Sequence, residues 1–277
     1  MSRPVISFLT DFGPDAAAAI CRGVMVGIAP DVQILDISHS VKKYAIQDGA
    51  FLLSISLHWL PPRTIHVAVV DPGVGTARRP IGVLTGRGDV LIGPDNGLLL
   101  PAAENLGGIR EARLLENRDW MLERTSSTFH GRDIFSPMAA HLAIGGSFAR
   151  VGPEVDAASL VRLHVPRPTA VEGGLDSSIV YIDSFGNLRL AGVPDDLAAA
   201  TGALDPGRRF TVSFGPEGGL AGASEDVAWA RTFGESEVGQ PLLYEDSFGN
   251  LAYADNQGNV AARLGVEAGA PVRIRPA

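Results

Sequence analysis

The chain has 277 residues, of which 45% are hydrophobic and 19% charged, and its formal net charge is -8. This composition is typical of a folded protein with one large α/β domain plus an appendage, or with two domains, and the acidic balance argues against a nucleic-acid partner. Cys21 is the only cysteine, so an internal disulfide is excluded. No signal peptide and no apolar run of membrane-spanning length is visible, so we expect a cytoplasmic protein.

The first part of the chain alternates between predicted strands and predicted helices. Strands are predicted over 5–9, 32–37 and 65–70, and helices over 16–29 and 45–60. Asp15 is expected to cap the first helix. This alternation predicts βαβ units and an α/β domain with a mainly parallel central sheet.

Three carboxylates fall at or near the carboxyl ends of these strands, namely Asp11, Asp36 and Asp71. Open α/β sheets bind their ligands at this edge, so three acids gathered there suggest a site.

The stretch 65–79, IHVAVVDPGVGTARR, is the most informative of the chain. Its apolar first half predicts a strand buried on both faces, and the Pro-Gly loop after Asp71 predicts a tight turn. Arg78 and Arg79 return within reach of Asp71. Taken alone, this stretch fits a binding site and fits equally a capped turn with two solvated arginines.

Two further elements lie between this stretch and the middle of the chain. Short strands are predicted within 81–92, followed by a turn at 93–97 to which we assign a structural role. His130 lies beside Gly131 just before a predicted helix at 137–143. It is a candidate site histidine, although a loop histidine is also a common surface residue.

The second half of the chain has a different character. We predict an N-terminal α/β domain over 1–165, a linker over 166–174 that contains proline and glycine, and a C-terminal domain over 175–277. Short alternating runs predict a small antiparallel β-barrel or sandwich there. The predicted strands are 178–182, 188–191, 209–214, 242–244, 251–254, 260–264 and 272–274.

This half also contains a repeat, because DSFGNL occurs at 183–188 and again at 246–251. Each copy lies between two apolar runs and predicts a β-hairpin turn with its glycine in a conformation that other residues tolerate poorly. The copies are either two similar hairpins of one barrel or two tips that face a polar ligand. A phenylalanine on each tip favours the second interpretation, because its exposure is costly.

The motifs TDFG (10–13), VDPGVGTARR (70–79), TFHGRDIF (128–135) and DSFGN resemble those of the S-adenosyl-L-methionine (SAM) hydrolases that form adenosine, also called SAM hydroxide adenosyltransferases. This family is similar to the fluorinases and chlorinases. The resemblance implies hydrolysis of SAM to adenosine and L-methionine without a cofactor. It also implies an α/β domain, a C-terminal barrel and a homotrimer with its sites between neighbouring subunits.

The resemblance assigns roles to five residues of the N-terminal half. Asp71, Arg78 and His130 match the catalytic triad of the hydrolases. Asp11 matches the carboxylate that holds the ribose hydroxyls, and Tyr44 lies where an aromatic ring packs beside the ribose.

Five residues of the C-terminal half match substrate contacts. Phe185, Asn187 and Phe233 match groups around the adenine, and Asp183 and Ser247 match contacts to the methionine end.

The halogenases differ at several of these positions. They have Tyr in place of Asp71, Tyr and Ser in place of His130 and Gly131, and Arg in place of Phe248. These differences favour the hydrolase branch over a halide reaction.

Three other functions compete with this one. A metal-dependent hydrolase with Asp11, Asp36, Asp71 and His130 as ligands lacks a recognisable metal-binding spacing, and Arg78 disfavours a cation. A dinucleotide-binding enzyme lacks the glycine fingerprint after its first strand. A non-catalytic SAM or adenosine sensor on the same fold remains an alternative.

Overall fold

The computed structural model describes residues 3–215 and 223–277. The chain divides into two compact units, Met1–Leu163 and His164–Ala277. The predicted α/β class with a C-terminal barrel is confirmed. Among the described residues, no helix combines the length and the apolar character needed to cross a membrane.

The first unit is built on a six-stranded sheet with the strand order β2-β1-β3-β5-β4-β6. The sheet is mixed, because β1–β2, β1–β3 and β3–β5 are parallel whereas β4–β5 and β4–β6 are antiparallel. Its strand β6 has no counterpart in the sequence prediction. The elements are β1 Val5–Thr10, α1 Ala17–Ile28, β2 Gln33–Ser38, α2 Ile46–Ser56, β3 Ile65–Val69, β4 Pro80–Thr85, β5 Val90–Pro94, α3 Leu100–Asn105, β6 Ile109–Leu114 and α4 Ser136–Ala143.

Strand β3 lies in the middle of this sheet and is buried along its whole length, as its apolar run predicts. Val67 and Val69 belong to the core cluster with α1 and α4, whereas Ala68 and Val70 belong to the cluster with α2 and α3. Each fully buried valine stabilises the fold by about 1.5–3 kcal/mol. The central strand is therefore a rigid support for Asp71, which follows it directly.

The second unit is a closed seven-stranded barrel, in which β8 pairs with β14 and the short β7 adds to β8. Six of its pairings are antiparallel, and β11–β12 is parallel. Strand β7 lies inside the segment that we predicted as a linker. The elements are β7 Thr169–Val171, β8 Gly174–Ile182, β9 Leu188–Leu190, α5 Pro194–Thr201, β10 Arg209–Phe214, β11 Ala223–Ala230, β12 Pro241–Glu245, β13 Leu251–Asp255, α6 Val260–Leu264 and β14 Pro271–Pro276.

Local capping corrects two predictions of helix position. The predicted strand at 260–264 is wrong, since these residues form α6, where Asn259 Oδ1 accepts the Ala262 N–H at 2.8 Å and Gly265 ends the helix at φ 62°. Asp15 does not cap α1, whose N-cap residue is Ala16 and has no side-chain hydrogen bond. Short apolar runs do not distinguish a strand from a buried helix, so the cap decides.

Candidate active site

Asp71 lies just beyond the carboxyl end of β3 and opens a tight loop, in which its carbonyl accepts the Val74 N–H at 3.2 Å. Gly75 ends the loop at φ 77°, and a Cβ atom there would lie 2.2 Å from the carbonyl oxygen of Ser127. Only glycine therefore lets this loop approach the segment that leads to His130. This close approach explains why the motif VDPGVGTARR has glycine at position 75.

Asp71 and Arg78 form a buried bidentate ion pair. Arg78 Nε donates to Asp71 Oδ1 at 3.0 Å, and Arg78 Nη2 donates to Asp71 Oδ2. Their side chains are 5% and 6% exposed, and the guanidinium carbon lies 5.5 Å from the centre of the Phe135 ring. A planar fork matched to a carboxylate fixes the direction in which Asp71 presents its oxygens.

The same guanidinium group also contacts His130. Arg78 Nη2 lies 3.1 Å from His130 Nδ1. Because a guanidinium group can only donate, Nδ1 accepts this hydrogen bond, and the proton of the neutral ring resides on Nε2. The structure thus brings together the three residues of the predicted triad through one arginine.

Electrostatics separate the two titratable members of this cluster. Burial raises the pKa of the Asp71 carboxyl above its ordinary value, and the Arg78 guanidinium opposes this shift without cancelling it. Burial lowers the pKa of His130, and the positive charge of Arg78 lowers it further. His130 is therefore neutral at neutral pH, and Asp71 is a stronger base than an exposed carboxylate.

A π-helical turn, Gly131–Phe135, holds His130 at the start of α4. The hydroxyl of Ser136 donates to the Gly131 carbonyl at 2.7 Å, and the buried Asp133 accepts the Ser126 N–H at 2.8 Å. Both ends of the His130 segment are thereby tied down. Such turns occur often at functional sites.

One pocket of the first unit, with a volume of about 240 Å³, gathers four of the predicted site residues, Asp11, Tyr44, Asp71 and His130, in its walls. Asp11 Oδ2 accepts the Tyr44 N–H at 2.9 Å, and Tyr44 has a φ of 66° and is 70% exposed. A positive φ at a bulky residue is uncommon and marks a constrained loop. Lys43 also lines this pocket and was not predicted.

Two charged residues highlighted by the sequence lie outside the pocket walls. Asp36 pairs with Arg22 and lies 3.0 Å from His39 Nε2, so the predicted gathering of three carboxylates holds for Asp11 and Asp71 only. Arg79 pairs with Asp95 at 2.5 Å. No group of three metal-ligating side chains occurs in residues 3–215 and 223–277.

In the second unit, both copies of DSFGN form hairpin turns, as predicted, between β8 and β9 and between β12 and β13. In the first, Asp183 Oδ1 accepts the N–H groups of Phe185 and Asn187 at 2.9 and 3.0 Å, and Asn187 Nδ2 donates to Asp183 Oδ2 at 3.0 Å. The aspartate and the asparagine therefore stabilise the turn itself. Phe185 is 74% exposed.

The second copy repeats this arrangement. Asp246 Oδ1 accepts the N–H groups of Phe248 and Asn250, both at 2.8 Å. Ser247 lies at this tip, beside Phe248. Identical sequence thus gives identical turn chemistry at both tips.

Arg189 joins the two turns and was missed by the sequence analysis. Its Nε lies 2.8 Å from Asp246 Oδ2 without the alignment of a hydrogen bond, and its Nη2 lies 3.6 Å from Asp183 Oδ2. The only sequence signal is a charged residue between two leucines of β9. The remaining predicted residue, Phe233, packs edge-on against Tyr244 with ring centres 5.1 Å apart.

An α/β unit in which a buried Asp–Arg pair contacts a half-buried histidine, followed along the chain by a closed barrel, defines the class of protein. A model of the SAM hydroxide adenosyltransferase N-terminal domain matches residues 6–152, and a model of the C-terminal domain of that family matches residues 177–273. The chain belongs to the SAM hydroxide adenosyltransferase family.

Proteins named as SAM hydrolases and fluorinases align with nearly the whole chain. A protein from Salinispora tropica named (R)-S-adenosyl-L-methionine hydrolase is 42% identical over 98% of this chain and 97% of its own. One of the same name from Thermus thermophilus is 37% identical over 98% and 99%. A fluorinase from Actinopolyspora mzabensis is 28% identical over 99% and 97%.

Two solved structures are also similar. An uncharacterized conserved protein from Thermotoga maritima is 32% identical with a TM-score of 0.89, over 98% of this chain and 99% of its own. A conserved hypothetical protein from Thermus thermophilus is 35% identical with a TM-score of 0.74, over 99% and 100%.

Proposed function

We propose that the protein hydrolyses SAM to adenosine and L-methionine by attack of water on C5′ of the ribose. The observation that carries this proposal is the Asp71–Arg78–His130 cluster, in which one arginine orients a basic carboxylate and a neutral imidazole. Proteins 37–42% identical to the chain are named for this hydrolysis.

The reaction requires an activated nucleophile. When the C5′–S bond of the sulfonium breaks, methionine leaves as a neutral thioether, so the leaving group needs no acid. Water, by contrast, is a weak nucleophile at neutral pH. Asp71 accepts a hydrogen bond from the water and takes its proton as the O–C5′ bond forms and the C5′–S bond breaks. His130 Nε2–H donates to the same oxygen and Arg78 holds Asp71 in place. Arg78 Nη1 is buried without a hydrogen-bond partner among the described residues, as expected of a donor that a bound polar molecule satisfies.

The other predicted residues recognise the substrate. In the first unit, Asp11 binds the ribose hydroxyls and Tyr44 packs beside the ribose. The remaining contacts come from the second unit, with Phe185, Asn187 and Phe233 around the adenine and Asp183 and Ser247 at the methionine end.

We further propose that these two sets meet in a homotrimer, with the second set supplied by a neighbouring subunit. Trimers mixed from Asp71→Ala and Asn187→Ala chains should recover activity, because some sites then contain both native residues. Recovery is compared with each variant alone. Its absence in trimers shown by mass spectrometry to be mixed contradicts a shared site.

Incubation of the purified protein with SAM tests the function directly. The sulfonium sulfur is a stereocentre and the relatives' name carries an R descriptor, so both epimers are assayed separately for adenosine and methionine. Binding without turnover would identify a sensor instead. A fluorinase is 28% identical to the chain, so excess chloride is included, and 5′-chloro-5′-deoxyadenosine as the main product would identify a halogenase.

A further inference from the structure

Arg189 lies between the two repeated turns of the second unit. It directly follows the first DSFGNL repeat and is the second residue of β9. Its side chain is 12% exposed. Its guanidinium group is within 2.8 Å of a carboxylate oxygen of Asp246 and within 3.6 Å of one of Asp183. These are the first residues of the two DSFGN copies.

Each of these carboxylates already accepts backbone N–H groups of its own turn. A cation placed between them therefore offsets the repulsion of two acids that the turns hold close together. A guanidinium group suits this place, because its charge is spread over a plane and lies near both carboxylates at once. The ammonium group of a lysine is compact and concentrates its charge at one point.

Arg189 also contacts aromatic residues around the second turn. Its guanidinium carbon lies 5.9 Å from the centre of the Phe248 ring. Burial raises the pKa of the Tyr244 hydroxyl, and the positive charge of the nearby Arg189 opposes this shift. Tyr244 in turn packs against Phe233. The Arg189 side chain thus contacts both turns and lies near the aromatic pair of Tyr244 and Phe233.

We propose that Arg189 is a positioning residue, which fixes the two DSFGN turns relative to each other so that Phe185, Asn187, Ser247 and Phe233 form one substrate-recognition surface. This inference rests on the proposed function, since those four residues are among the substrate contacts assigned above. Asp71, Arg78 and His130 belong to the first unit, so Arg189 contributes to binding and not to the chemical step.

Kinetics of Arg189→Gln and Arg189→Lys test this role. In Arg189→Gln, KM for SAM should rise by roughly tenfold or more, the loss expected for one contact to a charged group, with kcat within about threefold. Arg189→Lys keeps the charge but not the fork, so its KM should lie between those of the wild type and Arg189→Gln. Arg273→Gln is the control, because Arg273 pairs with Asp176 near the opposite end of β8, and its KM should stay at the wild-type value.

Since Arg189→Gln removes the cation beside Asp246, the double variant Arg189→Gln/Asp246→Asn provides a second test if the single variant does not fold. It should also show the raised KM. A raised KM shared with Arg273→Gln, or a loss confined to kcat, would overturn the proposal.

Adenosine binding, measured by isothermal titration calorimetry, separates this proposal from the proposed function. Weaker adenosine binding by Arg189→Gln supports the positioning role even if the wild type releases no adenosine from SAM. Equal affinities in the wild type and Arg189→Gln would overturn the positioning role while leaving the hydrolase proposal intact.

Discussion

Arg78 Nη2 lies 3.1 Å from His130 Nδ1, and the same side chain donates hydrogen bonds to both carboxylate oxygens of Asp71. This relationship fixes the imidazole tautomer and the carboxylate direction together. Asp71 and His130, which are 59 residues apart in the chain, are therefore both oriented by one guanidinium group.

Arg78→Lys should remove this double constraint. A lysine cannot bind both carboxylate oxygens and the imidazole in one plane, so we expect kcat/KM to fall by about 100-fold or more. The neighbouring Arg79→Lys is a matched control, since Arg79 pairs with Asp95 outside the pocket walls. Steady-state kinetics of both variants check this, and equal losses would contradict the special role of Arg78.

Asp71→Asn should lower kcat by about 100- to 10,000-fold with little change in KM. Asparagine keeps the shape of the side chain but is a neutral and weaker acceptor, so the effect belongs to the transition state. Single-turnover measurement at saturating SAM isolates the chemical step. A variant that is slow only because it binds SAM poorly would disprove the assignment.

Asn187→Ala should show the opposite pattern. An adenine contact distant from C5′ is present in the ground state and in the transition state, so KM should rise more than kcat falls, by a loss of roughly 1–3 kcal/mol. Because Asn187 also donates to Asp183 at 3.0 Å, part of the loss comes from a weakened turn. Asn250→Ala loses the equivalent bond in the second copy and is the control for that part.

The pH dependence follows from the two shifted groups. Since Nδ1 must accept from Arg78, protonation of His130 opposes this hydrogen bond, and Asp71 must be ionised to act as a base. The pKa of His130 is lowered from 6.5 and that of Asp71 is raised from 3.8, so kcat/KM should be constant at neutral pH and fall on the acid side below pH 6.5. Activity that rises as the pH drops through this range would require a protonated His130 and contradict the tautomer.

A buried network in the first unit links stability to pH. Ser7 Oγ lies 2.7 Å from His66 Nδ1, and His66 Nε2 lies 3.3 Å from Asp89 Oδ1. Burial lowers the pKa of His66, with Asp89 opposing. The unfolded chain takes up a proton on His66 near pH 6.5, whereas the folded chain does so only at lower pH. The contribution of His66 to the free energy of unfolding is therefore fully present above pH 6.5, and it is lost as the pH falls, by up to about 1.4 kcal/mol per pH unit.

His66→Gln should therefore flatten the decline of Tm between pH 6.5 and 5, although it lowers Tm at pH 8. Protonation of Asp89 does not contribute to the decline of Tm between pH 6.5 and 5, because its pKa lies well below this range. Burial would raise its pKa, but hydrogen bonds from His66 and Arg87 outweigh that effect and lower it to about 2. An unchanged slope in His66→Gln, measured by calorimetry, would exclude His66 as a source of the pH dependence.

The sequence predicts well those features that local pattern determines. The continuous apolar run before Asp71 and the two DSFGN turns are examples, because strand burial and turn chemistry are written in consecutive residues. The local pattern cannot tell Arg78 from Arg79, since which arginine meets Asp71 depends on the path of the loop, and only the family resemblance separated the two. Arg189 is invisible for the same reason, as its partners come from two separate turns.

The fate of the oxygen atom tests the central claim most directly. SAM is incubated with the wild-type protein in water enriched in the heavy oxygen isotope and containing excess chloride, and the products are analysed by mass spectrometry. Attack of water on C5′ predicts adenosine that carries the heavy isotope at its 5′-hydroxyl, together with unlabelled methionine. Adenosine without the label, or 5′-chloro-5′-deoxyadenosine as the main product, would contradict the account.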